Sequence, residues 1–262
     1  MGQQMGQQMA ILEIENLVRT FGGLTAVNDL SMQVEAGAIH GLIGPNGAGK
    51  TTIFNVITGF YSPSSGRIVY NGQDISGMRT SAIAELGLVR TFQSTTLFQE
   101  MSVMDNVLVG HHLKARSGLF AALTRADRAK QQRIREESIQ LLEFFGIADR
   151  ANDITSSLPH GMQRTLGLAT ALAAKPGLLL LDEPFTGMNT EETRQIMEHC
   201  RKIRDSGVTL LLVEHDMQAV MGLCDRITVM NFGSLLAEGT PEQVRHHPDV
   251  IEAYLGAVID VA

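Results

Sequence analysis

The sequence predicts an α/β fold, a parallel sheet covered by helices on both faces, preceded by antiparallel strands and interrupted by a mainly helical insert. Three observations predict it. Late in the chain, short apolar runs alternate with helix-period stretches, the βαβ spacing of a parallel sheet. Near the start, Leu30, Met32 and Val34 alternate with polar residues, as strands with one buried face do. Between about Gln93 and Gly167 the texture turns charged and helix-periodic, with few β-branched residues.

The elements follow in order. Residues 1–9, with two copies of Met-Gly-Gln-Gln, read as a disordered tail. Strands are expected from Ile11 to Val34, then a turn at Glu35 to Gly37 and a strand Ala38 to Ile43. A Gly-rich loop leads into a helix over about Lys50 to Thr58, and Asn71-Gly72 closes a hairpin after Arg67 to Tyr70. In the insert, Ser102 to Asp105 and Thr124 to Asp127 have the pattern of helix caps. Strand Leu178 to Leu181, helix Glu191 to Arg204, strand Val208 to Val213, a helix from Asp216 and strand Ile227 to Met230 complete the sheet. Thr240-Pro241-Glu242-Gln243 caps a C-terminal helical tail. The expected division is a core of 10–92 and 168–240 with its antiparallel β subdomain, a helical subdomain of 93–167, and a tail of 241–262.

Composition narrows the function. With 262 residues, 44% hydrophobic and 19% charged, the chain is an ordinary folded protein large enough for a core domain and a subdomain. Its net charge is −7 and it carries no long Lys/Arg block, which argues against nucleic acid as the main partner. The apolar run at Leu178 to Leu181 falls far short of the roughly 20 residues of a membrane span. Cys200 and Cys224 lack the spacing of a zinc or redox site, and the chain opens without a signal sequence.

The chemistry begins at Gly44-Pro45-Asn46-Gly47-Ala48-Gly49-Lys50-Thr51, which fits G-x-x-x-x-G-K-[ST] in full and lies between a strand and a helix. Glycines let backbone N–H groups approach phosphates, and the helix start adds about half a positive charge. Lys50 is placed to pair with the β- and γ-phosphates of ATP and Thr51 to hold Mg²⁺; Thr52 joins them in the ATP-binding set. Leu178 to Leu181 then end in Asp182-Glu183, at the carboxyl edge of the sheet where open α/β folds bind ligands. Acids at a strand end also serve as solvated caps; beside a phosphate loop, Asp182 would complete the Mg²⁺ shell and Glu183 would act as general base. His215 again follows an apolar strand and is placed to reach the γ-phosphate, although a lone His is commonly structural. Gln93, after the strand Leu88 to Thr91, offers a neutral amide to Mg²⁺ and the attacking water.

In this order these residues resemble the ABC ATPase family over about Ile11 to Leu255: Walker A, the Q-loop at Gln93, Walker B, and the switch His215. The resemblance implies a P-loop NTPase core with an inserted helical subdomain. It implies that Phe21 stacks on adenine, a role that competes with a place in the core. It also implies that Leu158-Pro159-His160-Gly161-Met162 is the signature loop, which acts on nucleotide held by a second subunit in a head-to-tail dimer. Pro159 replaces the usual Ser, and His160 replaces a Gly with a titratable ring.

A relaxed signature, Asn189 after Walker B, the enlarged insert from about His111 to Lys130, and the ending from Thr240 to Gly256 look like branched-chain amino acid importers. The implied partners are a second ATP-binding subunit, membrane permease subunits and, indirectly, a solute-binding protein, at the cytoplasmic face of the inner membrane. Two other readings remain at this stage, a soluble ABC ATPase without a permease and an ATP sensor that does not hydrolyse.

Overall fold

The computed structural model describes residues 9–91, 97–111 and 125–259. Strands β1 (Ala10–Phe21) and β2 (Leu24–Glu35) form an antiparallel hairpin, extended on the β1 side by β4 (Ser65–Tyr70) and the short β5 (Gln73–Asp74). Leu30, Met32 and Val34 are buried as their alternation predicts. Asn71 and Gly72 both have positive φ, the geometry of a tight hairpin turn.

The second sheet contains β3 (Ile39–Ile43), β6 (Leu88–Thr91), β7 (Leu178–Asp182), β8 (Thr209–Val213), β9 (Arg226–Asn231) and β10 (Ser234–Gly239). Their order is β10-β9-β3-β8-β7-β6, parallel throughout except for β10. Residues of β7 point alternately to two cores. Leu178 and Leu180 join α1 (Lys50–Ile57) and the antiparallel sheet, through Ile53, Phe54, Leu12 and Leu17. Leu179 and Leu181 join α5 (His160–Ala173), α6 (Thr190–Asp205) and α7 (Met217–Leu223) on the other face. Burial on both faces is why these strands read as unbroken leucine runs.

The short α2 (Thr80–Glu85) and the edge strand β10 were not foreseen; β10 alternates only weakly between buried and exposed residues, so its pattern is faint. The insert contains α3 (Val103–His111), α4 (Arg125–Phe144) and single 3₁₀ turns before α5. Ser102 Oγ accepts the Asp105 N–H at 3.0 Å, a working cap; Thr124 lies outside the described residues. The expected boundary at Gly167 falls inside α5, whose residues pack against α3 and the central sheet in one core, so the two bodies share a helix. Asn189 caps α6 in a full capping box with Glu192. Thr240 does the same with Gln243 for α8 (Pro241–Arg245), ahead of α9 (Pro248–Ile259). Among the described residues no helix is long and apolar enough to cross a membrane.

Candidate functional site

The parallel strands bring their carboxyl ends to one edge, where the loop from Gly44 to Gly49 follows β3, Glu183 follows β7 and His215 follows β8. Between β3 and α1 the loop turns on glycines: a Cβ at Gly44 would lie 2.3 Å from the Met230 carbonyl oxygen, and one at Gly49 2.5 Å from that of Ala26. Helix α1 begins at Lys50, and its cap residue Gly49 has no side chain to bond the first turn, so the first N–H groups are offered to an anion. Lys50 is buried and donates to the carbonyls of Gly44 at 2.7 Å and Pro45 at 3.0 Å, closing the loop on itself. Burial pushes the Lys50 ammonium down from the usual lysine range, and the Glu183 carboxylate opposes that shift.

A cleft of about 520 Å³ is lined by Asn46 to Thr52, by Glu183, and by Leu24 to Ala26 of β2. Glu183 leaves β7 in the left-handed region, φ 47°, with its N–H held by the Val213 carbonyl at 2.9 Å. That conformation costs a non-glycine residue roughly 1 kcal/mol. The Thr186 hydroxyl donates to its Oε2 at 3.2 Å.

Asp182 is buried, and Arg90 of β6 donates to its Oδ2 at 2.5 Å while donating to Asn55 of α1 at 2.7 Å. A cation thus already rests on the carboxylate assigned to the metal shell. The donors expected for Mg²⁺, a Thr51 hydroxyl and this carboxylate, are hard oxygens, the set Mg²⁺ takes when phosphates and water supply the rest. Among the described residues no three His, Cys, Asp or Glu converge into a metal site made by protein alone.

His215 is 60% exposed and lines a second cavity, of about 910 Å³, with Gly44 to Ala48, Phe232 and residues of α9. Its N–H donates to Glu214 Oε2 at 3.0 Å. Glu214 is 1% exposed; burial raises its pKa, and backbone N–H groups of Phe185, His215 and Asp216 oppose the shift.

Phe21 is neither in the core nor in the cleft. It is 37% exposed, meets Tyr61 edge-on at 5.1 Å between ring centroids, and carries the Arg19 guanidinium 4.4 Å above its ring. Its cross-strand partner Leu24 is what lines the cleft. Gln93 lies outside the described residues.

The residues Leu158 to Met162 stand apart. Leu158 is buried, Pro159 precedes the first turn of α5, and His160 is exposed. Gly161 leaves room for Glu192 of α6, whose Oε1 would lie 3.0 Å from an added Cβ. None of these five residues lines either cavity beside the phosphate loop.

Arg90, Glu214 and Thr186 were not foreseen. A charged residue inside a parallel strand and an acid directly after one were the available signals, but their partners lie far off in the chain.

A family model described as ABC transporter matches residues 27–186, and one described as branched-chain amino acid ATP-binding cassette transporter matches residues 234–260. The chain is 45% identical over 249 residues to the high-affinity branched-chain amino acid transport ATP-binding protein LivG of Escherichia coli, covering 94% of this chain and 98% of that one. It is 44% identical to BraF of Pseudomonas aeruginosa, which bears the same description, over the same shares. Among solved structures it is similar to the ADP conformation of an ATP-binding cassette of an ABC transporter. That match has a TM-score of 0.85 and 31% identity, over 95% of this chain and 99% of the other.

Proposed function

This chain belongs to the ABC transporter family, as an ATP-binding and ATP-hydrolysing subunit, and from that premise we propose that it drives uptake of branched-chain amino acids through a membrane permease. The observation that carries the reading is the split site: one cleft joins Lys50, Thr51 and Glu183, while Leu158 to Met162 lie outside it. A single chain therefore holds half of what the chemistry needs, and a second copy or a paralogue supplies the other half.

The roles follow from position. The loop from Gly44 to Thr52 cradles the phosphates with its N–H groups; Lys50 leaves its two carbonyl partners for the β- and γ-phosphate oxygens. Each such charge-assisted bond is worth about 1.5–3 kcal/mol. Glu183 orients and deprotonates the attacking water, and its proximity to Lys50 keeps it over the phosphate end of the cleft. His215 approaches the γ-phosphate from the adjoining cavity. Thr51, Asp182 and Gln93 would hold Mg²⁺, which when bound supplies charge neutralisation to the transferring phosphoryl group.

Phe21 takes adenine on the ring face opposite Arg19, and the uncapped start of α5 meets the γ-phosphate of the partner subunit, with His160 donating across the interface. The helical insert docks the permease, which places the subunit on the cytoplasmic face of the inner membrane; the residues from 241 on form an appended helical tail. The test is turnover and nucleotide binding by the wild type and Glu183→Gln. A wild type that turns over beside a variant that binds ATP and stalls supports the reading; a variant that hydrolyses at the wild-type rate contradicts it.

A further inference from the structure

Glu214 is an acid that the chemistry above does not use, yet it is among the most buried charged residues described. Its Oε1 accepts the N–H of Phe185 at 2.8 Å, and its Oε2 accepts those of His215 at 3.0 Å and Asp216 at 3.4 Å. Phe185 lies two residues after Glu183, and His215 is the switch residue. One carboxylate therefore ties the loop after β7 to the loop after β8.

A third element feels the same charge. Arg164, in the second turn of α5, is partly buried, and the Glu214 carboxylate favours its guanidinium form against that burial. Arg164 also lines a small internal space of about 30 Å³ with Asp182 and Pro184. Helix α5 starts with His160 and Gly161, which serve the partner's nucleotide in the reading above.

We propose that Glu214 is a positioning residue that couples the two composite sites, binding the loops of Glu183 and His215 into one unit and passing their displacement to the signature helix through Arg164. The inference rests on that reading of a head-to-tail dimer. The physical reason is the cost of a half-satisfied buried carboxylate. A shift of one loop alone would strip donors from an ion held out of water, so the loops move together. Arg164 is drawn along because its guanidinium is attracted to the same carboxylate and lines one small space with Pro184, the residue between Glu183 and Phe185.

Glu214→Gln keeps the volume, removes the charge and turns an amide N–H toward backbone N–H groups. In the full-length chain with Mg-ATP, affinity for a fluorescent ATP analogue should stay within about twofold, while kcat falls at least about tenfold and the Hill coefficient for ATP drops toward one. Arg164→Met should show the same split, and the double variant should be no worse than Glu214→Gln alone. Glu214→Asp, one methylene shorter, should not restore the coupling. A merely structural role would instead lower affinity, kcat and melting temperature in parallel, and that result overturns the proposal. So do unchanged cooperativity in Glu214→Gln and independent, additive effects of the two variants. Failure of the underlying reading looks different: Glu183→Gln would form no ATP-dependent dimer whatever stands at 214, and the premise falls with it.

Discussion

Strands β7 and β8 are neighbours of one make: each is five residues long, each is wholly buried, and they run in register with Asp182 beside Val213. Each is followed at once by a glutamate, Glu183 and Glu214, one step apart across the sheet. Glu183 turns out through a left-handed backbone and lines the phosphate cleft. Glu214 turns in and spends its oxygens on three backbone N–H groups. The same side chain lines a cleft after one strand and binds protein backbone after the next. What separates them is the backbone angle at the strand end and the supply of donors, neither of which is a property of glutamate.

The comparison can be broken from several sides. The largest effect belongs to Glu183→Gln, expected to lower turnover by about 10²–10⁴-fold while ATP stays bound, measured by phosphate release and equilibrium nucleotide binding. An equal loss of binding would mean that Glu183 holds the loop, as Glu214 does.

Arg90→Met tests the other acid of β7. It strands the buried Asp182 carboxylate and should destabilise the nucleotide-free protein by about 3–5 kcal/mol, read from urea unfolding. A change near zero would mean that Asp182 is solvated in the empty protein.

The amino side of the sheet serves as a control, since its titration should move stability without touching the cleft. His40 in β3 is wholly buried against the Thr228 hydroxyl at 2.8 Å, and burial lowers its pKa from 6.5 to about 4. Between those values the unfolded chain binds more protons than the folded one. Stability from this group is therefore complete above about pH 6.5 and is lost as pH falls through about 4, by up to about 3 kcal/mol. Urea midpoints across that range should fall less steeply in His40→Asn.

The smallest effect is that of His160→Ala. One hydrogen bond across the dimer is worth about 1 kcal/mol, so turnover in the assembled transporter should fall about fivefold. An unaltered rate would remove His160 from the interface.

Much of this was legible because it is local. The loop from Gly44 to Thr51 announces itself within eight residues, and the leucine run before Asp182 fixes both strand and edge. Leu30, Met32 and Val34 gave their buried face by period alone. Arg90 and Glu214 were not legible. Their partners sit on other strands and helices, as Arg90 with Asp182 at a separation of 92 residues, and only the sheet order brings them together. The boundary expected at Gly167 falls inside α5, because nothing in that helix's sequence marks where one packing face ends and another begins. Leu158 to Met162 could be singled out only by resemblance to the family pattern, and they line neither cavity beside the Gly-rich loop.

The most direct test of the split site is sedimentation of Glu183→Gln with Mg-ATP, with ADP and without nucleotide. The account predicts a dimer with ATP alone, lost when Lys50→Ala is added and weakened by a bulky substitution at Gly161. A species that remains monomeric at saturating ATP, or that dimerises equally without nucleotide, would contradict it.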